Sequence, residues 1–382
     1  MIRADFPEEA NMHRRSFFGG VVFLVALLIT VPSTHAADTV PRELTDDAFW
    51  KMVSDYSEDS GSFRFEYMSN ELQFQYVIPR LKENRKPGGV YLGVGPEQNF
   101  TYIAALQPKM AFILDIRRQN MVEHLIYKAV FEMSQDRVEF LSRLFSRKAP
   151  PGLNEKSTAR QIFTAFRSAT PDQDLYRENL QAIKDRLLKE HRFQLTTSDR
   201  ESIEYIYRIF FDTASVFGYS SGTFGGFGGT YADLMTATDQ QGQARSYLAN
   251  EENYQVVREL ERKNLIVPVV GDFAGSKALR GVARYIRDRG ATVTAFYTSN
   301  VEQYLFQQGD DWKHFLTNVA GLPLDSSSMF IRSSHFAFGD AQPPRQFNRG
   351  RFIQLLSPMA EVVKAYNTGQ ITSYEDLIRL SK

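Results

Sequence analysis

The hydrophobic pattern of the chain is a series of short apolar runs, each ending in a glycine or a polar residue and followed by a helical stretch. Residues 89–94 form the first run, which turns at Gly93 and Gly95 into a helix predicted over residues 99–106. A second run, residues 110–114, ends in Asp115. Short runs of β-forming residues that alternate with helices indicate buried parallel strands, so these two segments predict a first βαβ unit.

Further apolar runs extend the predicted sheet. Residues 265–270 lead to Asp272, residues 291–297 lead to Asn300 and Glu302, and residues 329–332 and 352–356 are predicted as closing strands, both with an antiparallel alternative. The expected fold class is α/β, a Rossmann-like and mostly parallel sheet flanked by helices. Because the carboxyl ends of parallel strands meet at one edge, we expect Asp115, Asp272 and Asn300 to converge there.

Helical patterns fill the rest of the chain. Asn70 and Gln73 have the spacing of a capping box, which predicts a helix to about residue 84 with a kink at Pro79, and Ser276 is expected to cap a later helix. Residues 149–217 are predicted as a helical insertion over the carboxyl edge. The predicted organisation is a signal peptide over residues 1–36, an arm with helices over 37–88 and a Rossmann-like domain over 89–382.

The glycine turn and Asp115 carry the candidate binding chemistry. A turn without side chains brings backbone N–H groups close to a ligand, and an acidic residue at the tip of the next strand is where ribose hydroxyls are usually held. The third glycine of the dinucleotide fingerprint is replaced by Gln98, which argues against an NAD or FAD site.

This pattern resembles that of class I S-adenosylmethionine-dependent methyltransferases. The segments GVGPEQNFTYI, DIRRQN and FYTSNVEQYL are also similar to those of an uncharacterised bacterial family of methyltransferase-like proteins, over roughly residues 89–305. The resemblance implies a fold more firmly than a reaction, and it implies S-adenosylmethionine or another nucleoside-type small molecule as the ligand. The residues predicted around the nucleoside are Gly93, Gly95, Glu97, Asn99, Asp115 and Asp272, and those facing a second substrate are Asn300 and Glu302.

The N-terminus has the pattern of a signal peptide. Arg14 and Arg15 precede an apolar run over residues 21–31, and Ala36 ends a plausible cleavage site, so we expect an exported, periplasmic or secreted protein that meets the membrane only during export. The paired arginines favour a twin-arginine signal and an ordinary Sec signal equally, and an uncleaved anchor is a third alternative. Met12 is an alternative start.

The amino-acid composition limits the classes of partner and the kinds of chemistry expected of the chain. Lysines plus arginines and aspartates plus glutamates both number 45, so no basic face for nucleic acid is indicated. The chain has no cysteine, which removes disulfides and thiolate chemistry. His124 and His191 lack ligand-spaced partners and are expected to be surface or structural residues, and His335 stands alone, so no metal is predicted. The sequence does not set the oligomeric state.

The sequence is compatible with three functions. A methyltransferase needs a supply of its donor, which is made in the cytoplasm, so an exported chain favours a ligand-binding protein that kept the cleft for another small molecule. An interaction protein with a degenerate cofactor site is the third alternative. The glycine-rich residues 218–229 are either a lid over the cleft or a surface loop. Catalytic residues and a methyl acceptor are not identified by any pattern in the sequence.

Overall fold

The computed structural model of the chain describes residues 39–63, 67–83, 88–214, 229–334 and 352–381. The predicted signal peptide over residues 1–36, the glycine-rich stretch up to residue 228 and His335 lie outside these ranges. Within the described ranges, none of the helices has both the length and the apolar character that crossing a membrane requires.

The described residues form a six-stranded sheet flanked by helices. Its strand order is β3-β2-β1-β4-β5-β6; the first five strands are parallel, and β6 is antiparallel to β5. The α/β class and the mostly parallel sheet are confirmed. The antiparallel alternative for the closing strands is confirmed for β6 and is wrong for β5, which is parallel to β4. The strands are β1 Val90–Gly93, β2 Met110–Asp115, β3 Ile266–Val270, β4 Val293–Ser299, β5 Met329–Ser334 and β6 Ile353–Pro358.

The strand order reverses at β1. From β1 the chain continues to β2 and then β3 on one side, whereas β4 returns to the other side, so that Val90 pairs with both Met110 and Val293. At such a reversal the connections after the two central strands leave in opposite directions, and a crevice opens beyond their carboxyl ends. The sheet order therefore places the glycine turn after β1 at the edge of a crevice.

Helices cover both faces of the sheet and fill the long connection between β2 and β3. A 3₁₀ helix, Phe74–Val77, precedes α2, and a π-helix, Arg186–Glu190, follows α7. Helices α4 to α10 lie between β2 and β3, and the predicted insertion, about residues 149–217, falls within this span. The helices are α1 Asp46–Tyr56, α2 Ile78–Glu83, α3 Gln98–Leu106, α4 Arg118–Met133, α5 Arg137–Phe145, α6 Ala159–Arg167, α7 Gln173–Asp185, α8 Thr197–Thr213, α9 Tyr231–Thr236, α10 Glu251–Arg262, α11 Ala278–Asp288, α12 Val301–Leu305, α13 Asp311–Ala320, α14 Met359–Asn367 and α15 Tyr374–Arg379.

Helix α4 links the sheet to the insertion. Its residues from Asn120 to Phe131 are all buried, because β2 and β3 pack on one side of it and helices α5, α7, α8 and α10 on the other. Where α4 begins, beyond the carboxyl end of β2, Arg118 forms a bidentate ion pair with Asp199 of α8, at 2.6 and 2.8 Å. The insertion is thus fixed to the sheet through α4.

Two predicted helix starts differ from the structure. The helix expected from Asn70 begins only at Phe74, and Gln73 makes no capping hydrogen bond, because Glu71 is drawn instead into a buried polar network. Helix α11 begins after Lys277 and not after Ser276. The carboxylate of Glu58, from the arm that precedes the sheet, accepts the first N–H groups of that helix and takes the place of a serine cap.

Candidate functional site

A cleft lies at the carboxyl ends of strands β1 to β4. Its cavity volume is about 160 Å³. The strands contribute small and polar residues to the lining, and the chain before β1 and helix α12 contribute aromatic and polar ones. The lining includes Phe63, Ser69 and Glu71 before β1, Gly95 and Pro96 after β1, Asp115 at the end of β2 and Arg117 after it, Asp272 after β3, Tyr297 and Ser299 of β4 and Asn300 after it, and Tyr304 of α12.

The glycine turn and Asp115 lie side by side in this cleft. Strands β1 and β2 are neighbours with Gly93 opposite Ile113, and both Gly95 and Asp115 line the cavity. Gly95 has a φ of 77°, and a Cβ built on it would have no atom within 4 Å. The backbone at Gly95 is therefore left-handed and uncovered, which is the geometry that a glycine provides at low cost.

Asp115 is held by Arg117. Its Oδ1 accepts the backbone N–H of Arg117 at 2.8 Å and the guanidinium Nε at 3.0 Å, and its Oδ2 accepts Nη2 at 3.1 Å. Both side chains are more than nine-tenths buried. Since a carboxylate has about four acceptor positions, this clamp orients Asp115 and still leaves capacity for a ligand hydroxyl.

Gly93 and Asn99 support the glycine turn on the side away from the cleft and are not part of its lining. A Cβ on Gly93 would lie 1.9 Å from Oδ1 of Asn99, so the glycine makes room for that side chain. The Nδ2 group of Asn99 donates to the carbonyl oxygens of residues 94–96 at 2.8 to 3.1 Å, and its Oδ1 accepts the hydroxyl of Tyr91 at 2.9 Å. The structure assigns both residues to the support of the turn, in contrast to the predicted ligand contacts.

Glu97 lies in a buried acidic group beneath the turn, outside the cleft lining. Its Oε1 accepts the N–H of Ser69, and its Oε2 has no partner; neither carboxylate oxygen of Glu123 has one. Burial raises the pKa of Glu97 to about 8, and burial together with the neighbouring Glu97 raises that of Glu123 well above its usual value. Both carboxyls are therefore mainly protonated at neutral pH, so that the two acidic side chains can lie close together in the interior.

His124 is the third member of this buried group. Its Nε2 donates to the carbonyl oxygen of Gly95 at 2.9 Å, and its Nδ1 has no partner. Burial lowers the pKa of His124 to about 4, so the ring is neutral. His191, in contrast, bridges Asp46 and Glu132 at 2.8 and 2.7 Å. Both histidines have structural contacts, and no local sequence pattern indicates that His124 contacts the glycine turn.

Asp272 and Asn300 line the cleft, as the convergence of the strands predicts, but Glu302 does not. Glu302 is buried and forms a bidentate ion pair with Arg332 of β5, at 2.6 and 3.1 Å. Its Oε2 also accepts the hydroxyl of Thr298 at 3.2 Å. The structure thus places Glu302 in a clamp between α12 and the sheet, outside the lining of the cleft.

Glu71 is a cleft residue that the sequence analysis missed. Its carboxylate is almost wholly buried and accepts hydrogen bonds from Ser299 and Tyr297 of β4, 2.5 and 2.9 Å away. Gln98 and Gln354 donate to the same carboxylate at 2.8 and 2.9 Å. These partners lie up to 283 residues away in the chain, so no local pattern marks Glu71. Arg117 belongs to the DIRRQN segment, but no pattern in the sequence predicts its role.

The arm before β1 crosses the carboxyl edge of the sheet. Glu58 N donates to Val270 O, and Gly61 N donates to Ile116 O, each at 2.8 Å. The arm then reaches Phe63, whose ring packs edge-on against that of Tyr304, 5.2 Å between centroids. Both rings line the cleft and are partly exposed, so they form its aromatic side.

The site offers a polar, carboxylate-rich surface for an organic ligand. Among the described residues, no group of three or more histidine, aspartate or glutamate side chains has the arrangement that a metal ion needs. The cleft could accept hydroxyl and amine groups at Asp115 and Asp272, and flat or cationic groups at the aromatic side.

The chain matches the family model described as a domain of unknown function (DUF7790) over residues 67–351. It belongs to this family. The match covers the sheet up to β5 together with the insertion helices. No curated protein matches the chain. The description of the family names no activity.

Proposed function

We propose that this DUF7790 protein has a Rossmann-like, methyltransferase-like domain whose cleft binds a nucleoside-type small molecule, with S-adenosylmethionine as the first candidate. The observation that carries the proposal is the juxtaposition of Gly95 and Asp115 in one cleft, where the strand order reverses. A bare glycine backbone beside an oriented carboxylate suits the ribose of a nucleoside.

A ligand without phosphates fits the surroundings better than a dinucleotide does. The helix N-terminus nearest the end of β3 is that of α11, where backbone N–H groups of the kind that bind phosphate are already bonded to Glu58. A Cβ on Gly275 in the same loop would lie 2.4 Å from that carboxylate, so the carboxylate fills the loop. The space that a phosphate would need in the loop of residues 271–277 is thus occupied by the protein's own carboxylate.

Methyl transfer would need little from the side chains. A nucleophile on the acceptor forms a bond to the methyl carbon as the carbon–sulfur bond of the sulfonium breaks, and the electron pair stays on the neutral thioether. Holding donor and acceptor in line supplies much of the rate. The second candidate, an exported ligand-binding protein without turnover, is favoured by the signal-peptide pattern at residues 14–36.

Isothermal titration calorimetry of the purified chain with S-adenosylmethionine, S-adenosylhomocysteine and adenosine tests the proposal. Asp115→Asn keeps the shape of the side chain and removes its charge, and we expect roughly tenfold to a hundredfold weaker binding, because a hydrogen bond to a charged group is lost. Asp47→Asn, an exposed site on α1, is the matched control. Absence of heat with all three ligands would reject the proposal.

Location in the cell separates the two candidates. Fractionation of cells that express the tagged chain, with cytoplasmic and periplasmic markers, shows where the mature protein resides. A cytoplasmic pool that binds S-adenosylmethionine supports the methyltransferase, and an exclusively exported protein supports the binding protein.

A further inference from the structure

The charged side chains in the described lining of the cleft are unequal in number: more are acidic than basic. Among the described residues that line it, Glu71, Asp115 and Asp272 are acidic and Arg117 is basic. Arg117 is paired with Asp115. Two carboxyl groups, Glu71 at the β4 side and Asp272 at the β3 side, are then left without a basic side chain in the described lining. Three strand spacings separate these sides, roughly 14 Å, which is about the length of an extended nucleoside derivative.

The hydrogen bonds of Glu71 suit an ionised carboxylate. Its oxygens receive bonds from a serine hydroxyl, a tyrosine hydroxyl and two amide groups, all of them uncharged donors. An ionised carboxylate accepts all four bonds as they stand, whereas a protonated one would need the hydroxyl of Ser299 or Tyr297 to turn and accept its hydrogen. The four uncharged donors therefore suit the charged form of this side chain and do not neutralise it.

The surroundings of this charge favour a cation. Tyr297 carries one of the hydroxyls on Glu71, and the rings of Phe63 and Tyr304 form the aromatic side of the same cleft. The faces of aromatic rings attract positive groups, including those that bear methyl substituents. Burial raises the pKa of Asp272, which means that the charge on this carboxyl is costly until a positive group approaches.

Building on the proposed function, we infer that the cleft selects a ligand with a positive charge and that Glu71 is the residue that recognises this charge. The ligand class is a nucleoside that bears a sulfonium or ammonium group, with the cationic centre between Glu71 and the aromatic side. A neutral thioether or an anionic nucleotide is discriminated against. The cleft would then keep the methyl donor and release the demethylated product.

S-adenosylmethionine and S-adenosylhomocysteine differ by one methyl group and one positive charge, so their affinity ratio measures the selection. For a unit charge roughly 6–12 Å from a carboxylate at an effective dielectric constant of about 20, we expect a preference of roughly tenfold to a hundredfold for the sulfonium. Glu71→Gln should reduce the ratio to near one and change adenosine affinity by less than about threefold.

Two control variants separate charge from shape. Glu71→Asp retains the charge and should retain most of the preference. Gln354→Leu removes one uncharged donor from the same carboxylate and should also retain it. If Glu71→Gln does not fold, the salt dependence of the wild-type protein decides: raising KCl from about 50 to 500 mM should weaken the sulfonium ligand more than the thioether.

The outcomes distinguish the inference from the proposed function. Binding of adenosine without a preference for the sulfonium, or a preference that survives Glu71→Gln, overturns the inference and leaves the proposed function standing. No binding by any of the three nucleosides rejects the proposed function and the inference with it.

Discussion

The buried ion pair between Glu302 and Arg332 allows a sharp test of whether Glu302 is structural or faces a substrate. The side chain of Arg332 is 0% exposed and that of Glu302 is 2% exposed, and the guanidinium also lies over the ring of Phe330, 4.1 Å from its centroid. Glu302→Gln removes one charge and leaves the other buried. Breaking such a pair costs about 3–5 kcal/mol in free energy of unfolding, because the remaining charge is left without compensation.

The assay is urea-induced unfolding followed by the fluorescence of the two tryptophans. We expect Glu302→Gln and Arg332→Met each to lower the free energy of unfolding by about 3–5 kcal/mol. The double variant Glu302→Met with Arg332→Met should lower it by far less than the sum of the two, because no buried charge is then left without a partner. A single-variant cost below about 1 kcal/mol, accompanied by weaker ligand binding, would refute the structural role and restore the one predicted from the sequence.

Three further predictions concern the turn, the arm and the insertion. Gly93→Ala should destabilise the fold, since its Cβ collides with Asn99. Gly95→Ala should lower the free energy of unfolding by only about 1–2 kcal/mol, because its backbone is left-handed but its surroundings are open. Thermal unfolding of both variants compares them, and equal losses of stability would contradict the assigned roles. Glu58→Ala should cost about 0.5–2 kcal/mol through loss of the α11 cap, measured by urea unfolding, and an unchanged midpoint would argue against the cap. Burial alone would lower the pKa of His191, but its hydrogen bonds to two carboxylates hold that pKa above the usual value. The protonated ring therefore stabilises the fold fully below about pH 6.5, and this stabilisation is lost as the pH rises through the folded-state pKa. Urea midpoints measured from pH 6 to 9 should fall less in His191→Gln than in wild type, and parallel curves would exclude the contribution.

Local pattern was enough to predict most of the strands and their direction. The runs that became β1 to β4 are short and apolar, and each ends in a glycine or polar turn, so their boundaries are set by neighbouring residues. The placement of Asp115 beside the glycine turn also followed from the sequence, because consecutive strands joined by a helix usually pair in parallel. Helix starts were predicted less well where a distant side chain supplied the cap, as Glu58 does for α11.

The role of each side chain within the cleft was decided by contacts between distant segments. Glu302 has the polar character of a substrate contact, but its burial against Arg332 depends on the pairing of β4 with β5. Glu71 precedes the whole sheet and reaches the cleft only because the segment that carries it packs against β4 and β6.

The sequence by itself thus determined the α/β class, the order of the strands along the chain and the edge at which their polar ends meet, since these depend on short-range periodicity and on general rules for parallel strands. Only the tertiary structure decided which polar residues face the cleft, which support it from below and which are neutralised. The physical reason is that hydrogen bonds and ion pairs form between groups close in space, and their free energy depends on burial that local sequence does not encode.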